Sequence, residues 1–157
     1  MSLPMNLQAA PQIAGQAEAE LLRLAKPISF WGGVDPRTGR ISDPRHPDHG
    51  REIGGKILVL PGMIGSSSSS YIMLELMAIG RAPAALVLAE PDAILALGVV
   101  VAREMDYGSI PVVVLARAQQ AALESGALAR IEEDGRIEIL NAKVDSPQRH
   151  RGTDEAR

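Results

Sequence analysis

The sequence predicts an α/β domain built on a mixed sheet, with flanking helices and a hairpin near each end. Three observations carry that expectation. Short apolar runs rich in branched residues, at 57–60, 84–88 and 110–115, alternate with stretches of helical spacing at 72–79 and 93–104, the pattern of strands crossing to helices and back. Asp134-Gly135 stands between two apolar-alternating segments, and Asp-Gly is a strong short-range signal of a hairpin turn. Finally, Gly62-Met63-Ile64-Gly65 and five consecutive serines, Ser66 to Ser70, stand between a strand and a helix start. Such a loop falls at the carboxyl end of its strand, where open α/β sheets receive ligands.

In order along the chain, residues 1–26 are expected to be a flexible leader, with Gln16 to Lys26 forming a short helix if anything; residues 1–15 are rich in Ala, Pro and Gln. The domain proper is expected to span 27–145. Ile28-Ser29-Phe30-Trp31 reads as a strand entering Gly32-Gly33. Residues 34–41 carry the turn chemistry of a hairpin, with Pro36 and Gly39 as its turn residues. The strand at 57–60 leads through the serine loop into a helix ending near Gly80, with Arg81 where the helix dipole favours a cation. A buried strand at 84–88 follows, then a loop at Glu90-Pro91-Asp92 and an apolar helix over 93–104. Residues 110–115 form a strand of the continuous apolar type found where both faces are covered. A short helix from Arg117 to Leu123 precedes the terminal hairpin, 129–132 paired with 136–140. Residues 146–157, with Pro, Gln, Arg, His, Gly and Asp, are expected to be a disordered tail.

Composition narrows the function. A chain of 157 residues is one domain that can bury a core without staples. A net charge of −3, with Phe30, Trp31, Tyr71 and Tyr107 as the whole aromatic complement, argues against nucleic acid, which calls for a basic face and stacking rings. There is no cysteine, so a disulfide, a thiolate zinc site or an iron–sulfur ligand cannot come from this chain. No apolar run approaches membrane-spanning length and residues 1–16 lack the pattern of a signal segment, so the expected setting is the cytoplasm, away from membranes.

The serine loop is the stretch with the clearest chemistry. Glycines let the backbone turn sharply or approach a ligand, and a helix start aims free N–H groups at whatever lies above it. Against this stands the plainer reading in which one serine caps the helix and the rest form a polar turn. No Gly-Lys-Ser/Thr follows, so the loop is not a Walker A motif, and it lacks the third glycine of a dinucleotide fingerprint. Ser68 stands where a nucleophile elbow would need glycine, and His150 is the only histidine downstream.

Residues 42–51 hold two prolines, two histidines and two carboxylates and cannot be helix or central strand. His46 and His49 with Asp43 or Asp48 invite a metal reading. Loops of this kind more often use Asp and His to hydrogen-bond their own backbone, and no convincing remaining ligand set is at hand. A loop packed beside the site, giving a polar contact, is the favoured expectation. Met73 and Met77 read as core or subunit contact, Glu75 as a solvated helix residue, Trp31 as core or docking anchor in equal measure, and Glu90 or Asp92 as a cap for the next helix.

Taken together, the series Gly39-Arg40-Ile41-Ser42-Asp43-Pro44-x-His46-Pro47, Gly50-Arg51-x-Ile53-x-Gly55-Lys56-x-Leu58-Val59-Leu60-Pro61, Gly65 through Ser70 with Tyr71, Ala82-Pro83-Ala84-Ala85 and Glu90-Pro91-Asp92 resembles the small subunit, or swivel domain, of the aconitase X family. The resemblance runs from about Pro27 to Leu140. It implies a swivelling β/β/α domain that closes over a larger subunit, with an iron–sulfur cluster or iron on that large subunit and no metal or cofactor bound by this chain. It implies hydro-lyase chemistry, the loss of a hydroxyl and a neighbouring carbon-bound proton, in an enzyme inactive without its large subunit. Ser66, directly after Gly65, occupies the position of the family's serine base. Gly65, Ser67, Ser68, Ser69 and Ser70 become the expected substrate contacts, with Ser70 also a candidate helix cap, and Asp43, His46 and Glu90 the expected supporting groups around them.

Family members act on cis-3-hydroxy-L-proline, giving Δ1-pyrroline-2-carboxylate, or on mevalonate 5-phosphate. The unbroken serine run resembles the first type. Met63 stands where many relatives carry a basic residue, which bears on the substrate and not on the fold. A phosphate would call for more cations around the loop than Arg45, Arg51 and Lys56 supply. The alternatives are a mevalonate 5-phosphate dehydratase small subunit and a non-catalytic anion-binding or assembly module with the same fold.

Overall fold

The computed structural model describes residues 5–141. Eight strands and four helices follow one another as β1 (Met5–Gln8), β2 (Ala10–Ile13), β3 (Ala17–Arg23), α1 (Phe30–Gly33), β4 (Ile57–Leu60), α2 (Ser69–Ala78), β5 (Ala85–Leu88), α3 (Ala93–Glu104), β6 (Val112–Val114), α4 (Arg117–Gln120), β7 (Leu128–Ile131) and β8 (Arg136–Asn141). The strand order is β1-β8-β7-β3-β4-β5-β6-β2. Strands β3 to β6 pair in parallel and the others antiparallel, so the sheet is mixed. The α/β expectation holds.

The two strands at the ends of that order are joined through Ala9 alone, so the sheet closes on itself. β1 lies against β8 and β2 against β6, which takes one extended segment across from the antiparallel half of the sheet to the parallel half. β3 makes the opposite corner: Ala17 to Glu20 pair with β7, and Leu21 to Arg23 pair with β4.

Residues 5–23 therefore hold three strands, not a flexible leader or a helix. Gln16 to Lys26 is made of good helix formers, and pairing on both sides overrides that weak local preference. The alternation in Ala17-Glu18-Ala19-Glu20-Leu21, half-buried then exposed, is the period-2 signal of a strand. The expected strand at 28–31 is also corrected. Only Ile28 pairs, with Met63; the chain then turns through the irregular α1, where Gly32 sits at φ +80° and a side chain on Gly33 would reach within 2.8 Å of Ile28. The hairpin expected at 34–41 reduces to one antiparallel bridge, Val34 with Ile41. The strands at 57–60, 85–88 and 112–114 and the helix over 93–104 lie where the sequence places them, and Asp134-Gly135 turns β7 into β8. The tail expected at 146–157 and the end of the domain at 142–145 lie outside the described residues.

Two cores flank the sheet. Leu21, Ile57, Val59, Val87, Val113 and Ile131 pack inside the closed sheet, while Leu58, Leu60, Leu86 and Leu88 face the other way, against Ile72, Met73 and Leu76 of α2 and Leu95 and Val99 of α3. β4 and β5 are buried at every position, which explains runs apolar throughout and not alternating. Met73 and Met77 are core. The helices cross closely at Gly98, where a Cβ would lie 2.7 Å from the Ser70 carbonyl and 2.9 Å from the Met73 Cβ.

Candidate functional site

β4 to β6 all end on the same side, and their carboxyl ends open into a cleft of about 440 Å³. Pro61-Gly62-Met63, running out of β4, form one wall; Glu90, Asp92 and Arg117 supply the ionisable groups. The serines do not line this cleft. They follow it, on the chain that rises from Met63 to the start of α2.

Ser66 lies two residues before Ser68, the residue that immediately precedes α2. Its Oγ is half-buried and accepts the main-chain N–H of Ser68 at 3.3 Å, while its carbonyl accepts from Ser69 N–H at 3.0 Å. The N–H groups of Gly65, Ser66, Ser67 and Ser70 have no acceptor among the described residues. The first turn of a ten-residue helix thus meets an uncommitted hydroxyl with several free donors on the side the dipole makes positive. An oxyanion formed at Ser66 is stabilised there by the Ser68 N–H already directed at it.

The remaining serines divide. Ser67 is exposed and Ser68 half-buried, without a side-chain capping bond. Ser69, expected as a substrate contact, is buried, and its Oγ accepts the Trp31 N–H at 3.4 Å. It ties the 28–33 segment to the helix instead of facing a ligand. Ser70 is not the cap: its hydroxyl donates to the Ser67 carbonyl at 2.9 Å, already within the helix.

The supporting residues separate in the same way. His46 is buried, its Nδ1 accepting the Asp48 N–H at 3.0 Å, which puts the proton on Nε2, directed at the Lys26 carbonyl at 3.0 Å. The Asp48 carboxylate accepts the Ala25 N–H at 2.9 Å. Together they fasten residues 25–26 to the loop at 42–51. From there Ile28 bridges to Met63 and accepts the Ile64 N–H at 3.1 Å, so His46 supports the serine loop through two intervening links and does not touch it. Asp43 turns its carboxylate to the Arg45 N–H. No group of three His, Asp or Glu able to hold a metal occurs among the described residues. Glu90 alone of the three lines the cleft.

Asp92 is the cap of α3, its Oδ1 accepting from Ile94 and Leu95 N–H at 2.9 and 3.0 Å. Three residues in this region carry roles the sequence reading did not give them. Gln12 in β2 donates to the Asp92 carbonyl and accepts its N–H. Gln120, buried, donates to the carbonyls of Leu60 and Leu115 and pins α4 over the end of β4. Arg117 faces the cleft. A glutamine in a surface-type turn looks polar and solvated in sequence, so no signal there marks it.

Two of the three cations weighed in sequence are elsewhere occupied: Arg51 pairs with Asp48 and Lys56 with Glu20, each at 3.4 Å. Around the loop stand large exposed apolar residues, Trp31 at 54%, Ile64 at 58% and Tyr71 at 55%. Trp31 is therefore not core. The Tyr71 phenol is held above its ordinary pKa by hydrogen bonding to the Glu75 carboxylate and then by that carboxylate's charge. No helix among the described residues is long and apolar enough to cross a membrane.

Comparison with known proteins places these features. A model of the aconitase X swivel domain matches residues 6–139. A cis-3-hydroxy-L-proline dehydratase of Pseudomonas aeruginosa is 46% identical over 129 residues, 81% of this chain and 22% of that protein; the chain thus spans about a fifth of that relative's length. A phosphomevalonate dehydratase small subunit of Thermococcus gammatolerans is 37% identical over 87% of this chain and 99% of its own. Among solved structures, the crystal structure of Thermococcus kodakaraensis aconitase X in its holo-form superposes with a TM-score of 0.77 at 34% identity, covering 87% of this chain and 99% of that one.

Proposed function

The chain belongs to the aconitase X swivel domain family, and from that premise we propose that it is the small subunit of a two-subunit hydro-lyase that dehydrates cis-3-hydroxy-L-proline. The observation that carries the reading is the Ser66 hydroxyl at the mouth of α2, with the Ser68 N–H upon it. The dehydratase of P. aeruginosa, at 46% identity, supports the substrate.

In this reading Ser66 Oγ, as the alkoxide, takes the proton from C2 of the substrate. The C3 hydroxyl departs with its bonding pair, and with one further proton leaves as water. The resulting enamine tautomerises to Δ1-pyrroline-2-carboxylate. A serine hydroxyl is a weak base in water; the Ser68 N–H already on it and the helix dipole are what lower the cost of its ionised form, and only in a site closed to water. Ser67 and Ser68 are left to contact substrate. Closure comes from a large subunit that docks on this chain's exposed rim of Trp31, Ile64 and Tyr71.

An iron–sulfur centre does not fit the residues present here: the chain has no cysteine, and the described residues hold no cluster of three metal-ligating side chains. Such a centre, or iron, belongs in this reading to the large subunit. A cytoplasmic setting goes with the same reading.

The test is reconstitution with the large subunit from the same genome, followed by assay for Δ1-pyrroline-2-carboxylate. Turnover is expected to need both chains, and Ser66→Ala is expected to lower kcat by about 10²–10⁴-fold, the range for loss of a general base. Equal turnover in the mutant would leave the serines as helix caps and the chain as an assembly module. A loaded complex inert to the proline and active on mevalonate 5-phosphate would assign it with the T. gammatolerans relative.

A further inference from the structure

The cleft at the carboxyl ends of β4, β5 and β6 is adjacent to the serine loop yet contains none of the serines. Several of its polar groups are already committed. The Leu60 carbonyl at the end of β4 accepts from Gln120, and the Leu88 carbonyl at the end of β5 accepts the Leu115 N–H at 2.8 Å. The Asp92 carboxylate is committed to the first turn of α3. That leaves two charged side chains without a partner among the described residues, Glu90 on the loop after β5 and Arg117 at the start of α4, of opposite sign. Between them the lining is main chain at the ends of β4 and β5 with Met63 and Pro91 beside it, the Leu60 and Leu88 side chains being turned into the core. The volume, about 440 Å³, falls within the range of small-molecule sites.

Two opposite charges lining one cleft select an amphoteric ligand. The planar guanidinium of Arg117 matches a carboxylate fork. A carboxylate such as Glu90 accepts N–H bonds from an ammonium and repels a second anion. A phosphorylated hydroxy acid, anionic at both ends, would set one of its anions against Glu90.

We infer that this cleft binds the zwitterionic head of an α-amino or imino acid, with Arg117 holding the carboxylate, Glu90 the ammonium, and the ring lying beside Met63 and Pro91. Arg117 and Glu90 are then specificity-determining residues that separate an imino-acid substrate from a phosphorylated one. The inference rests on the dehydratase reading for its connection to Ser66, which follows Met63 of the cleft wall by three residues along the chain.

The experiment measures binding and turnover separately in the reconstituted two-subunit complex. L-proline, which has no hydroxyl to lose, is titrated calorimetrically into the wild type, Arg117→Ala, Arg117→Lys and Glu90→Gln. Both Arg117 and Glu90 are exposed, so the variants are expected to fold, and unchanged melting temperatures check this. Arg117→Ala is expected to raise Kd about tenfold or more, corresponding to at least ~1.4 kcal/mol, with partial recovery in Arg117→Lys. Glu90→Gln is expected to weaken L-proline but not N-acetyl-L-proline, which has lost the cation. In turnover of cis-3-hydroxy-L-proline the same variants are expected to raise KM far more than they lower kcat, the opposite of Ser66→Ala. Kd and KM within twofold of wild type in every variant would overturn the inference, as would Arg117-dependent binding of mevalonate 5-phosphate in preference to proline. A complex that binds proline through Arg117 and Glu90 but does not dehydrate the hydroxyproline would overturn the dehydratase reading and leave the cleft assignment standing.

Discussion

At the scale of single residues, the chain separates groups that are adjacent in sequence into different jobs. Of five consecutive serines, Ser66 faces out beside a main-chain donor, Ser69 is buried under Trp31, and Ser70 bonds back into its own turn. The run itself is plain in the sequence, and so is its place between a strand and a helix; which hydroxyl points where depends on the helix phase and on the 28–33 segment, which no local pattern encodes. His46 shows the same limit. Its type and loop suggest a ligand or a site contact, and burial against the Lys26 carbonyl makes it a fastener. Tyr71 gives a measurable consequence. Because its folded pKa is raised by Glu75, the protonated phenol is favoured in the native state, and the stability this gives is present below the ordinary value and is lost as pH rises through the folded one. Spectrophotometric titration of the Tyr107→Phe chain, which isolates Tyr71, is expected to show a midpoint above the ordinary tyrosine value that moves back down in Glu75→Gln. Gly135 is the sharpest steric position: at φ +87°, a Cβ would stand 2.3 Å from the Ala9 carbonyl. Gly135→Ala is expected to cost roughly 3 kcal/mol, combining the left-handed penalty with displacement of backbone, read as a fall in urea midpoint at unchanged slope.

At the scale of elements, the parallel strands and the helices that cover them were the most legible part, since apolar runs and helical spacing report burial directly. The N-terminal strands were the least legible. β1 and β2 are four residues each, β2 contains Pro11 where a central strand would exclude it, and β3 is written in helix-forming residues; each is a strand only because of what it lies beside. The crossing of α2 and α3 matters for the site in a way no sequence motif advertises. Gly98 lets α3 approach the Ser70 carbonyl and Met73, and so sets the height of the turn that carries the serines. Gly98→Ala is expected to push the helices apart, costing about 1–3 kcal/mol in stability and lowering kcat by up to about 10²-fold through displacement of Ser66, as misplacements near 1 Å do. Thermal melting and steady-state kinetics of the reconstituted complex read the two effects separately; loss of stability with full kcat would show that α2 is held by other contacts.

For the molecule as a whole, the segment Met5–Ile13 closes the sheet at both ends, against β8 and β6. Removing residues 1–13 is expected to expose two strand edges at once, and exposed edges template association. Size-exclusion chromatography of the truncated chain is expected to show aggregation, and its urea transition to lose cooperativity; a monomer with a wild-type midpoint would mean that the sheet is stable open. The same closure dictates the order in which the fold can be completed. Met5 pairs with Ile139, so β1 finds its partner only when β8, more than a hundred residues later in the chain, has emerged. Until then the amino-terminal segment waits unpaired. Long loops must be closed before such contacts repay their entropy, and topologies of this kind fold slowly. The interval between synthesis and ring closure is thus when the chain most needs protection from its neighbours.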